Sequence, residues 1–134
     1  MSPTAARSAL LALSLAASAA TAQAPAAQDE VRRVNAEARA AHEKGDWPAF
    51  LAASRQLVEL APRSTRALYN LACAEARSGN TDRAFDRLFA AIDAGFDGAD
   101  HMRDDSDLDA LRNDPRFKQA LAKARAREAV DEED

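Results

Sequence analysis

The residues able to do chemistry are few: His42, His101, Cys73 and the aspartates Asp97, Asp100, Asp104, Asp105, Asp107 and Asp109. Asp105, Asp107 and Asp109 fit the D-x-D-x-D opening of a calcium loop, in which alternate carboxylates offer hard oxygen ligands. Such a loop then needs Gly at position six and Glu at position twelve, and here those are Ala110 and Arg116. Capping of two short helices accounts for several of these acids, so no metal and no other cofactor is expected; a metal-responsive protein using the Asp97 to Asp109 cluster is the alternative. The histidines fall on different predicted elements, and His42, beside Glu43 and Lys44, reads as a solvated helix terminus. Neither has an oriented nucleophile or base that can be named with it, so no catalytic residue is assigned and the chain is not read as an enzyme. Cys73 is the sole cysteine, which excludes an internal disulfide. Its neighbours Leu71, Ala72 and Ala76 point to a small buried residue, not to the exposed cationic setting of a reactive thiol.

The ends of the chain carry separate signals. Arg7, the apolar run Ala9 to Ala17 broken only by Ser14, and Ala20-Thr21-Ala22 have the three-part form of a cleavable signal peptide over residues 1–22. The run is shorter than the ~20 residues that cross a bilayer. Export is expected, to the periplasm or beyond, with no membrane insertion after signal removal. The net charge of −4, with arginines interspersed among acids, speaks against nucleic acid or an anionic membrane as partner. At the other end, residues 129–134 form a short acidic tail expected to fray.

Between these ends the pattern is helical, with no strand-like alternation. Residues 23–29 read as a spacer containing Pro25, with Asp29 as a cap. A first helix follows from about Glu30 to Lys44, its apolar positions Val31, Val34, Ala38 and Ala41 all small. Gly45 supplies a left-handed stop, Asp46 an N-cap, and Trp47-Pro48 the first turn of a second helix with the stripe Phe50, Ser54, Leu57, Val58 and Ala61. A third helix shows Leu68, Leu71, Ala72 and Glu75 on one face and ends at Gly79. A fourth carries Phe85, Leu88, Phe89 and Ile92, with Gly95 closing it and Phe96 placed to fold back.

Gly45 and Gly79 are 34 residues apart, and the same interval relates Arg32 to Arg66, Val34 to Leu68, Ala38 to Ala72, Asp46 to Asn80 and Leu57 to Ala91. A helical unit with a period of about 34 residues is the signature of a helix–turn–helix solenoid. On these residues the chain resembles the tetratricopeptide repeat family. Residues 65–98 match with Leu68, Leu71-Ala72, Gly79, Ala84, Leu88 and Ala91; residues 30–64 match with Val34, Ala38, Gly45, Leu57 and Pro62. Glu37, Phe50, Ser54 and Glu75 depart from the family's pattern. The fold expected is all-α: a short α-solenoid of two helix pairs, closed by a degenerate two-helix cap over residues 99–128. In that cap Ser106 or Asp107 starts a short helix carrying Leu108 and Leu111. Asp114 caps a second, with Pro115 as its first residue and Phe117, Ala120, Leu121 and Ala124 as its buried face.

The resemblance implies a protein- or peptide-binding module whose first helices line a concave groove. Transferred to this sequence, the groove shows Arg32, Asn35, Arg39 and His42 from the first unit, and Arg66, Tyr69, Asn70, Cys73 and Arg77 from the second. Arg32, Asn35, Arg39, Arg66, Tyr69, Asn70 and Arg77 are the candidate partner-binding residues. The recurring arginines would make a positive strip suited to carboxylates. The alternatives are a solvated face in which these arginines pair with Glu43 and Glu75, and an assembly subunit docking through the ends of the solenoid. Two repeats are fewer than the three usual for a stable array. A second copy of the chain, or a partner, could cover the open face of the first helix.

Overall fold

The computed structural model describes residues 25–133, and all regular structure in them is helical, with no strand among the described residues. The expected signal peptide lies outside the described residues. Two compact units divide at Arg33 and Val34. In the first, residues 25–33 are helical and mostly exposed, with i,i+3 pairs from Arg32 to Asp29 and from Arg33 to Glu30. The expected spacer is therefore corrected: residues 25–29 are already helical, because Ala26, Ala27 and Gln28 are good helix formers and a proline is tolerated in a first turn.

The second unit runs from Val34 onward. It contains α1 (34–44), α2 (Trp47–Leu60), α3 (Thr65–Arg77), α4 (Thr81–Asp93), α5 (Ala99–Asp104), a 3₁₀ segment (Ser106–Leu111) and α6 (Pro115–Glu133). The α3 helix packs against α2, α4 and the 3₁₀ segment, while α6 lies on α4 and α5. Its sequence allows this central position. From Ala67 to Ala76 every residue except Asn70 is buried, and four of those ten are alanine. A helix enclosed on nearly every side needs small side chains where neighbours approach closely. Larger residues then fill the joints: Phe50 and Leu57 from α2, Phe85, Leu88 and Ile92 from α4, Met102 from α5, Leu108 and Leu111 from the 3₁₀ segment, and Phe117 from α6.

The turns follow one repeated geometry. After α1 the amide of Asp46 donates to the Ala41 carbonyl at 2.9 Å, and after α3 that of Asn80 donates to Glu75 at 2.9 Å. In each case the intervening residue, Gly45 or Gly79, has a left-handed φ, +69° or +77°. These are six-to-one helix closures that require the backbone to reverse hand at one residue. Asp46 then caps α2 by accepting from the Ala49 amide at 3.2 Å, and Ser64 caps α3 through the Ala67 amide at 3.2 Å. Asn80 makes no such cap, because its side-chain amide donates to Glu75 Oε2 at 2.6 Å.

That contact explains the unusual Glu75. Its side chain is buried, and Arg55 of α2 donates to Oε1 from both Nε and a terminal nitrogen, at 3.2 and 3.0 Å. Both carboxylate oxygens are thus satisfied, and the acid ties α2, α3 and the α3–α4 turn together. Ser54, the other polar residue inside this interface, is fully buried, and its hydroxyl has no partner among the described residues.

Three details differ from sequence expectation. Asp105, not Ser106 or Asp107, caps the segment that follows, accepting from the Asp107 amide at 3.0 Å, and that segment is 3₁₀. Leu121 is half-buried while Phe117, Ala120 and Ala124 are buried as expected. The acidic tail does not fray at residue 129; α6 continues to Glu133, since no glycine or proline interrupts it. Asp114 and Pro115 do start α6, with Asp114 accepting from the Arg116 amide at 2.9 Å.

Two stability outcomes follow. A Cβ at Gly79 would meet no atom within 4 Å, so Gly79→Ala should lose only the left-handed backbone preference, about 1–2 kcal/mol in urea unfolding. Ser54→Ala removes a buried unpaired hydroxyl and should leave the urea midpoint unchanged or raise it; a loss above about 1 kcal/mol would show that the hydroxyl is satisfied.

Candidate functional site

The exposed side of α1 and α3, with the chain after α4, encloses a groove of about 640 Å³. Of the seven residues singled out from sequence, five line it: Asn35, Arg39, Arg66, Tyr69 and Asn70. Residues 35 and 39 lie one turn apart on α1, and 66, 69, 70 and 73 follow the same spacing on α3, so each helix presents one row. Arg39 and Arg66 are exposed and have no carboxylate partner among the described residues. Their pairing with Glu43 and Glu75, the plainer expectation, is not found; Glu75 is taken by Arg55.

The other two residues are elsewhere. Arg77 is engaged: its Nε donates to Asp107 Oδ1 at 2.9 Å, and its guanidinium lies 4.5 Å from the centre of the Trp47 ring. It does not line the groove. Arg32 belongs to the first unit, where its partner is Asp29.

The groove has a wall that sequence reasoning missed. Phe96 stacks on Tyr69, with ring centres 4.4 Å apart and planes 10° from parallel. The fold-back of Phe96 after Gly95 places it there, through the Phe96 amide bonded to the Ala91 carbonyl at 2.9 Å. Below this stack Asp105 and Asp107 close the floor, each with only 12–13 % of its side chain exposed. Tyr69 donates its hydroxyl to Asp105 Oδ2 at 2.7 Å, and His42 Nε2 lies 2.7 Å from Asp107 Oδ2. The thiol of Cys73 is 3.8 Å from Asp105 Oδ2, and His101 Nε2 is 3.5 Å from the same oxygen. The expected positive strip is therefore corrected in part: arginines line the rim, whereas the floor holds two carboxylates.

The D-x-D-x-D reading resolves differently from a calcium loop. Asp109 is exposed and bonded to Arg112 at 2.9 Å, so only Asp105 and Asp107 converge. One ligand atom from each of Cys73, Asp105 and Asp107 lies within 4.8 Å of the other two. His42, read from sequence as a solvated helix end, sits against this group and makes edge contacts with Trp47 and Phe50. Nothing local signalled this, because 65 residues separate His42 from Asp107.

Burial, followed by the neighbouring Cys73 and Asp105, pushes the Tyr69 hydroxyl well above its ordinary value. Burial, followed by the carboxylates of Asp105 and Asp107, pushes the Cys73 thiol up likewise. A nucleophilic thiolate is therefore disfavoured at neutral pH.

No family model, curated protein or solved structure matches the chain. Among the described residues no helix is long and apolar enough to cross a membrane.

The two raised groups fix a pH dependence. The unfolded chain releases the Cys73 and Tyr69 protons first, near 9.0 and 10.0, while the folded chain retains them. Stability is then intact below about pH 9 and falls as pH rises further. Denaturation midpoints measured with chelator present should decline above pH 9, less steeply in Cys73→Ala. Tyr69 is the only tyrosine, so absorbance titration should show no ionisation until the fold opens.

Proposed function

We propose that the chain is an exported, non-enzymatic binding module of the tetratricopeptide type, which takes an extended protein or peptide segment in the groove between α1 and α3. The observation that carries this reading is the pair Arg39 and Arg66, exposed on the groove rim without acidic partners, beside Asn35 and Asn70. Guanidinium groups bind carboxylates in bidentate fashion, and carboxamides both donate to and accept from a peptide backbone. The stacked Tyr69 and Phe96 add an apolar surface for a side chain of the ligand. A segment rich in Asp or Glu, or ending in a free carboxylate, has the matching chemistry.

The 34-residue interval supports the family assignment, and so do the recurrent helix closures at Gly45 and Gly79 and the packing of α3 on α4, the pair that Gly79 joins. Burial of Cys73, which pushes its thiol up, supports a role that does not use it as a nucleophile. An assembly subunit docking through its ends is the second reading. Val130 is the one exposed large apolar side chain among the described residues, so an apolar end surface has little support.

Crosslinking of the exported chain in cells of its own source, followed by mass spectrometry, tests this. The expected result is a dominant partner that is lost in the Arg66→Glu/Asn70→Ala variant while helicity by circular dichroism is unchanged. Binding of that partner should weaken at least ~tenfold, the effect of losing a charge-assisted contact. A partner retained by the variant would reject the groove; self-crosslinks alone would favour a homo-oligomer.

A further inference from the structure

The carboxylates on the groove floor share an arrangement that peptide binding does not use. Each has one oxygen held by a structural donor and the other turned inward. Asp105 Oδ1 accepts from the Asp107 amide at 3.0 Å, and Asp107 Oδ1 accepts from Arg77 Nε at 2.9 Å. The two Oδ2 atoms face the remaining polar groups: Tyr69, Cys73 and His101 on Asp105, and His42 on Asp107. Arg77 is the one permanent cation bonded to the pair. Cys73 is 3 % exposed, and its sulfur has only weak contacts in this cluster. Thus a nine-tenths buried thiol from α3 and two oriented carboxylates at the start of the 3₁₀ segment bring one ligand atom each within 4.8 Å of the other two, with the His42 imidazole bonded to Asp107 at their edge.

The geometry points to a binding site for a single divalent transition-metal ion of the zinc class, with Cys73 Sγ and one carboxylate oxygen each from Asp105 and Asp107 as ligands and a fourth position left open. A sulfur donor beside carboxylates suits zinc far better than calcium or magnesium, which take oxygen ligands alone. The outer bonds from Arg77 and the Asp107 amide would fix the carboxylates as ligand-orienting contacts do at metal sites. On binding, the Cys73 S–H bond breaks and its proton passes to solvent, leaving a sulfur–metal bond. The Tyr69 hydroxyl gives up its bond to Asp105 Oδ2. This inference is independent of the peptide reading, since a metal titration needs no partner.

The test uses the untagged full chain stripped with chelator. Zn²⁺ alone is titrated at neutral pH by calorimetry in buffers of different ionisation enthalpy, and Co²⁺ serves as a spectroscopic probe of the thiolate. One ion per chain is expected, with proton release, a sulfur-to-cobalt charge-transfer band, protection of Cys73 from alkylation and a raised Tm. Cys73→Ser and Asp107→Asn should each lower zinc affinity at least ~tenfold, the smallest loss seen even when only an outer partner of a metal ligand is removed. Absence of binding, affinity unchanged in both variants, or competition by equimolar Ca²⁺ would overturn the proposal. Should Cys73→Ser not fold, Asp107→Asn decides alone: unchanged affinity in that variant would overturn the assignment.

Discussion

The enclosure of α3 is the constraint on which the second unit depends. A helix can touch neighbours on nearly all sides only if its own side chains leave room, and the alanines between Ala67 and Ala76 do so. The same constraint places polar groups at risk, since any that enter the interface lose water. Glu75 is accommodated because Arg55 and Asn80 satisfy both oxygens. The enclosure therefore selects which polar residues the helix can carry, and where.

The groove is the one place where the enclosure of α3 is relieved, at Asn70 and beside Tyr69. Its two sides differ in electrostatic character because different chain segments build them. The rim comes from regularly spaced positions on α1 and α3, where Arg39 and Arg66 remain solvated. The floor comes from the chain after α4, which returns beneath α3 and brings Asp105 and Asp107 against Tyr69, His42 and Cys73. A carboxylate ligand would meet the first surface favourably and the second unfavourably. A cation would do the reverse. Opposed preferences of this kind orient a ligand as well as hold it.

Several groove positions were legible because they depend on helix periodicity. Asn35 and Arg39, then Arg66, Tyr69 and Asn70, share faces through spacings of three and four residues, and those faces line one groove. Arg77 has the right spacing too, yet Trp47 and Asp107 draw it aside. Its engagement with residues 30 positions away in either direction has no local signature. Phe96 was expected to fold back over its helix end, but its stacking on Tyr69 depends on how α3 and α4 pack.

What the sequence determined by itself is the set of local choices: helices bounded by Gly45 and Gly79, caps at Asp46 and Asp114, and apolar stripes at Phe85, Leu88 and Ile92. These rest on backbone conformation and hydrogen bonding over four or five residues, so nearby residue types suffice to specify them. Only the tertiary structure decided that Asp105 and Asp107 face inward while Asp109 faces solvent, and that His42 and Cys73 join them. That choice follows from the direction in which the 3₁₀ segment leaves Asp105, which Leu108 and Leu111 set by burying against the rest of the unit. Contacts spanning 30 to 65 residues are products of packing, and no periodicity in the chain encodes them.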